Sequence, residues 1–120
     1  MNVTSIVILA AIVVVFLLIK QFSQISWRAA REHLEQGALV IDVRSEEEFA
    51  AGHLRRAINM PMDQIEAFAP QRLKDRNRVL LLHCQTGMRS SVAARRLKRM
   101  GYARAFNLGS FSRASRIVGA

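Results

Sequence analysis

The sequence predicts an α/β domain with a mainly parallel sheet flanked by helices, preceded by one N-terminal transmembrane helix. Two observations carry that prediction. After Ile25, short apolar runs of strand length alternate with helical patterns, the order that buries a parallel sheet between two layers of helices. Before it, Val3 to Ile19 reads VTSIVILAAIVVVFLLI, uncharged throughout and apolar without a break from Ile6.

The N-terminal segment comes first. Its seventeen residues span about 25 Å as a helix, slightly short of a hydrocarbon core. Lys20 can snorkel and Phe22 can extend the apolar face, which makes a full crossing feasible. Met1 to Ser5 holds no basic side chain, and the following KQFSQISW lacks the small residues of a cleavage site. The segment therefore reads as a retained anchor rather than a signal peptide. A buried core helix would need a larger domain than the hundred residues that follow. We place the anchor at residues 1–22 and the domain at 23–120. Lys20, Arg28 and Arg31 follow the segment and no positive side chain precedes it. The positive-inside rule then puts the domain on the cytoplasmic side of an inner or plasma membrane.

The domain elements follow in order. Ser26 caps a helix through about Gln36, ended by Gly37. Ala38 to Ile41 is a buried strand running into Asp42. Ser45-x-x-Glu48 is a capping box with three carboxylates in the first turn, opening a helix that stops at Gly52. Ala57 to Met60 forms a short strand closed by Pro61, and Asp63 caps a helix through Phe68. Val79 to Leu82 is a second buried strand. Arg89 to Met100 is helical, with Val92, Ala93, Leu97 and Met100 near one face and Gly101 as its stop. Tyr102 to Leu108 makes a last strand and Phe111 to Val118 a last helix.

Composition narrows the chemistry. The formal charge of +9 lies almost wholly in the domain, where it suits an anionic membrane surface. No basic stripe interleaved with aromatics is present, so nucleic acid is not an expected partner. The single cysteine excludes an intrachain disulfide, a Cys-rich zinc site and a CxxC redox pair. We expect no metal and no cofactor.

That cysteine stands where chemistry is expected. Val79 to Leu82 leads through His83 into Cys84-Gln85-Thr86-Gly87-Met88-Arg89 and then a helix. Open α/β sheets bind ligands beyond the carboxyl ends of their strands, at helix N-termini. Backbone N–H groups of such a loop can converge on one spot as an anion nest. There they favour the thiolate of Cys84, helped by the helix dipole and Arg89. Gly87 supplies the backbone angles the loop needs. The plainer alternative is a buried structural cysteine at a strand end.

At these residues the sequence resembles the rhodanese family. Cys84-x-x-Gly87-x-Arg89 matches that family's six-residue active-site loop. Ile41-Asp42-Val43-Arg44 with Glu48-Phe49, and then Gly52-His53-Leu54 through Pro61, is similar to its upstream motif. The resemblance runs from about Ile25 to Gly109. It implies a rhodanese-like fold and a sulfurtransferase activity in which Cys84 cycles between thiol and persulfide. The thiolate takes sulfur from a small donor anion such as thiosulfate, releasing sulfite. It then passes that sulfur to a thiol, cyanide or a carrier protein. The attacking group is already ionised and the leaving group is a stable anion, so no general base is needed.

By the same resemblance Cys84 and Arg89 are the catalytic residues, and Gln85, Thr86, Gly87 and Met88 line the donor. Asp42 supports them as the expected orienting partner of Arg89, though a strand-end turn is an equal account of it. Arg44 is expected to form a surface or structural ion pair, His83 to pack at the strand end or tune the thiol, and His53 to be structural. Arg95, Arg96, Lys98 and Arg99 form a solvated helix face that an anionic leaflet could also attract. The sequence departs from the family after the last strand, where Leu108-Gly109-Ser110-Phe111 has one glycine and no tryptophan.

Two other readings compete. A Cys-x5-Arg phosphatase shares the thiolate-in-a-nest logic, but that spacing falls on Ser90. A membrane-held relay or binding module, loaded by a partner rather than by free thiosulfate, uses the same loop.

Overall fold

The computed structural model describes residues 1–21 and 23–119, with the side chains of residues 20 and 21 excepted. The first helix, α1, runs Val3–Gln21. Asn2 caps it, its side-chain oxygen accepting the Ser5 N–H at 2.9 Å. Every side chain from Met1 to Ile19 is exposed, so among the described residues this part of α1 is an apolar rod that the domain does not cover. Among the described residues no helix is long and apolar enough to cross a membrane, which corrects the expectation of a transmembrane helix at residues 1–22. The physical reason is length. Val3 to Ile19 extends about 25 Å against a core of about 30 Å. The parts assigned to the Lys20 side chain and to Phe22 lie outside the described residues.

The domain is a four-stranded parallel sheet. Its strands are β1 (Leu39–Asp42), β2 (Ala57–Asn59), β3 (Leu80–His83) and β4 (Ala105–Gly109), and they lie in the order β2-β1-β3-β4. Each strand leads into a helix, as parallel crossovers require. The domain helices are α2 (Trp27–Glu35), α3 (Glu46–Ala51), α4 (Ile65–Arg72), α5 (Met88–Arg99) and α6 (Phe111–Val118). Successive side chains of a strand point to opposite faces, and the core divides accordingly. Ile41, Leu80 and Leu82 pack with Ile65 and Ala69 of α4 and with Ala93 and Leu97 of α5. Val40, Leu81 and Leu108 pack with Ala30 and Leu34 of α2 and with Ala114 and Ile117 of α6.

Local chemistry sets most boundaries. Ser26 accepts the Ala29 N–H and caps α2. At α3 both halves of the capping box form, Ser45 Oγ with Glu48 N–H and Glu48 Oε1 with Ser45 N–H, each at 3.1 Å. Ser110 caps α6. The sequence misplaces two elements. Asp63 caps nothing. It lies in a 3-10 turn, Met62–Gln64, and α4 continues past Pro70 to Arg72. Tyr102 is not in the last strand, which starts at Ala105. It is wholly buried instead, its hydroxyl donating to the Leu73 carbonyl at 2.8 Å.

The topology places one site. From β1 the chain crosses to β2 on one side, whereas β3 and β4 lie on the other, so β1 and β3 flank a switch point. Ligands of open α/β sheets bind at that crevice, outside the carboxyl ends of the strands. Here those ends carry Asp42, Val43 and Arg44 from β1 and His83 and Cys84 from β3.

Candidate active site

Cys84 follows β3 directly and is wholly buried. Its N–H is held by the Gly109 carbonyl at 3.2 Å. The chain then turns into α5 through Gly87, whose φ of +96° is left-handed and costs glycine nothing. The turn bends backbone donors onto the sulfur. Cys84 Sγ accepts from Gly87 N–H at 3.0 Å and Ser90 N–H at 3.4 Å, and Ser90 Oγ lies 3.5 Å away. Burial alone would push the thiol pKa up. The Ser90 hydroxyl and the N–H groups of Ser90, Gly87 and Thr86 outweigh it, so the pKa lies below its ordinary value. A thiolate stabilised by fixed backbone dipoles is a nucleophile that needs no base.

The loop is braced from behind. The Asn107 side chain accepts from Ser90 Oγ at 2.7 Å and from Gly109 N–H at 3.0 Å, and donates to the Gly87 carbonyl at 3.3 Å. Pairing of β4 with β3 shifts register here, His83 facing Gly109, and the irregularity carries the end of β4 toward the loop. Sequence reading passed over Ser90 and Asn107 as site residues. The available signal was a single amide inside the apolar strand Ala105–Gly109. On the other side, Thr86 pairs with Ser110 in an isolated bridge, and Phe111 N–H donates to the Gln85 carbonyl at 3.3 Å. Of the expected donor-lining residues, Gln85, Thr86 and Met88 are exposed on the rim and Gly87 is buried beneath them.

Arg89 meets Glu48, not Asp42. Its Nη1 and Nη2 donate to the two carboxylate oxygens at 2.6 and 2.9 Å. Asp42 instead serves Arg44. It accepts the Arg44 N–H at 2.9 Å, Nε at 3.0 and 3.1 Å, and Nη2 at 2.8 Å. The backbone explains the exchange, since two residues along the extended chain bring Arg44 back over Asp42 while Arg89 sits across the crevice. Arg44 is buried rather than on the surface, reaching the Gly52 carbonyl at 2.7 Å and Gln85 Oε1 at 3.4 Å. Phe111 lies 4.6 Å from its guanidinium, so an aromatic ring does cover this end of the chain.

His83 is fully buried, 3.8 Å from Asp42. Burial lowers its pKa, with Asp42 pulling the other way, and the ring stays neutral at neutral pH. His53 stacks on Phe49 at 3.7 Å and contacts the Phe49 carbonyl through Nδ1 at 2.8 Å. Two clefts flank the Arg89–Glu48 pair. One of about 200 Å³ is lined by Val43, Ser45, Pro61, Met62, Asp63 and Arg89. The other, open and about 470 Å³, is lined by Arg44, Glu48, Ala51, Gly52, His53, Gln85 and Phe111.

Glu48 serves two helices, capping α3 while holding Arg89. The Arg89 guanidinium first, and then the Ser45 N–H, lower its pKa from 4.5 to about 2 against the opposing effect of burial. A carboxyl whose folded pKa is depressed stabilises the fold above its unfolded pKa and loses that contribution as pH falls through the folded value. The window is therefore pH 4.5 down to about 2. We expect the Tm of Glu48→Gln to fall less steeply than the parent's across that window. Parallel curves would mean that the pair contributes nothing to acid sensitivity.

Residues 26–114 match the family model described as a rhodanese-like domain. Over 69 residues the chain is 32% identical to the thiosulfate sulfurtransferase PspE of Escherichia coli, covering 58% of this chain and 66% of PspE. It is 29% identical over 69 residues to the putative sulfur carrier protein YrkF of Bacillus subtilis, covering 58% of this chain and 36% of YrkF. The alignments thus span about two thirds or less of these relatives. Among solved structures, the human single-domain sulfurtransferase TSTD1 superposes with a TM-score of 0.66 at 29% identity, covering 78% of this chain and 95% of that one.

Proposed function

The chain belongs to the rhodanese-like domain family, and from that premise we propose that it is a sulfurtransferase carrying sulfane sulfur on Cys84. The observation that carries the reading is the set of backbone N–H groups converging on Cys84 Sγ. In the first half-reaction the Cys84 thiolate attacks the outer sulfur of thiosulfate. A Cys84 S–S bond forms, the donor's S–S bond breaks, and sulfite leaves with the bonding electron pair. The terminal sulfur of the resulting persulfide is an anion, which the same loop donors stabilise. In the second half-reaction an acceptor thiolate attacks that sulfur and Cys84 departs as thiolate, restoring the starting state.

Arg89 is held beside the loop by Glu48, which neutralises its charge, and its remaining N–H groups can donate to the donor anion. Gln85, Thr86, Gly87 and Met88 form the wall the donor meets. Asp42 contributes through Arg44, which it fixes under the rim at Gln85. Neither half-reaction requires a cofactor or metal.

The full chain in detergent, incubated with thiosulfate, is expected to gain the mass of one sulfur atom. Cyanide or a thiol should remove it, and Cys84→Ser should not gain it. A folded parent with a reactive thiol and no mass gain would sink the thiosulfate reading.

The complete burial of Cys84 favours a second reading, in which a partner protein must seat itself to load or unload the sulfur. PspE is named a thiosulfate sulfurtransferase and YrkF a putative sulfur carrier. Free-donor kinetics separate the two. Saturable thiosulfate turnover supports the enzyme, and loading only from a partner persulfide supports the relay.

We also propose that α1 associates with lipid. It is apolar on every side and uncovered by the domain, so lipid is the covering that suits it. Part of the same proposal is that residues 23–120 lie at the anionic cytoplasmic leaflet of an inner or plasma membrane, where Arg28 and Arg31, which follow α1, would meet anionic headgroups. The chain should sediment with membranes after a high-salt wash, and a chain starting at Ser23 should not. Release of both by salt would overturn an apolar attachment.

A further inference from the structure

The segment joining α1 to α2 lies against the end of β4. Ile25 N–H donates to the Asn107 carbonyl at 2.9 Å. The Arg113 guanidinium ties the same stretch down, donating to the Ile25 and Leu108 carbonyls at 2.6 Å each. One residue earlier, Gln24 places its carboxamide in the corner between Gly87 and Gly109. A Cβ on Gly109 would stand 2.9 Å from Gln24 Nε2 and 3.1 Å from its Cδ, and one on Gly87 would stand 3.4 Å from the same nitrogen.

Those two glycines set the nucleophile. The Gly109 carbonyl holds the Cys84 N–H, and the Gly87 N–H points at Cys84 Sγ. The Gln24 carboxamide therefore fills the space beside both backbone units that fix where the sulfur stands and how it is solvated, space that a side chain on either glycine would enter. The side chain is exposed, so it contributes little to the core. Its carboxamide lies beside the loop.

We propose that Gln24 is a positioning residue for the Cys84 loop, so that the junction with α1 forms part of the site's support. This rests on reading Cys84 as the working nucleophile. Filling the glycine corner keeps the Gly87 peptide turned toward the sulfur. With the corner empty, that peptide can rotate and the thiolate loses a donor. Small misplacements at a reacting centre have large kinetic effects.

The test is the pH dependence of Cys84 alkylation by iodoacetamide in the full chain in detergent, with Gln24→Gly and Gln24→Met compared. Gln24→Gly should move the midpoint to higher pH and slow alkylation at neutral pH by about tenfold. Its Tm should stay close to the parent's. Gln24→Met, of similar length, should keep the parent profile. An unchanged profile in Gln24→Gly, or a lower Tm with an unmoved midpoint, would overturn the proposal. A methionine variant that fails as the glycine variant does would also overturn it. The readout is the thiol's own reactivity, so its outcome is independent of whether thiosulfate is the donor.

Discussion

Asp42→Ala should destabilise the domain by about 3–5 kcal/mol, the range for removing one partner of a buried ion pair. Asp42 is wholly buried and Arg44 is 6% exposed. The carboxylate accepts both the backbone and the guanidinium of Arg44, and among the described residues no other carboxylate bonds to that side chain. Without Asp42 the guanidinium keeps the Gly52 carbonyl, the long contact to Gln85 and the Phe111 ring. None of these neutralises its charge. Urea unfolding of parent and variant measures the difference. Asp42→Ala combined with Arg44→Met should recover much of the loss, because the stranded charge has gone. A single-variant loss under about 1 kcal/mol would mean that water reaches the guanidinium and that the pair behaves as a surface one.

Gly87→Ala should slow sulfur loading by about a hundredfold. The φ of +96° at Gly87 lies where an L side chain is strained by about 1–2 kcal/mol, although the added Cβ itself would make only ordinary contacts, 3.4 Å from Gln24 Nε2 and from the Gly109 carbonyl carbon. The chain relieves this by rotating the peptide, which turns the Gly87 N–H away from Cys84 Sγ. The sulfur then loses its shortest hydrogen bond and α5 loses the geometry of its first turn. The rate of mass gain with thiosulfate, read beside the alkylation rate, checks this. A variant that loads at the parent's rate would show that the remaining loop donors suffice.

What could be read from the sequence was mostly what neighbours along the chain decide. Ser26 and Ser45 announce their helices because a cap acts across three residues. The strands through Ile41 and Leu81 stand out because strands buried on both faces are apolar at every position. The Cys84 loop was legible for the same reason, since its glycine, its sulfur and the following helix are contiguous. Errors came where distant residues meet. Arg89 finds Glu48 forty-one positions away, and nothing local distinguishes that carboxylate from Asp42. Glu48 was already accounted for by its capping box, which concealed its second role. Asn107 and Gln24 bear on the site only because β4 and the segment before α2 end beside it. Asp63 had the chemistry of a cap, but Pro61 and the tight turn after it delayed the helix to Ile65.

The edge of β4 has a consequence for handling the protein. An open parallel edge offers unpaired carbonyls to any passing strand, which is how such domains come to associate with their own copies. Here the Asn107 carbonyl is taken by Ile25 and the Leu108 carbonyl by Arg113. A chain trimmed to begin at Ser26 would keep the four strands and the whole Cys84 loop. It would also free the Asn107 carbonyl on that edge, and we expect it to aggregate on concentration where a chain beginning at Ser23 stays dispersed.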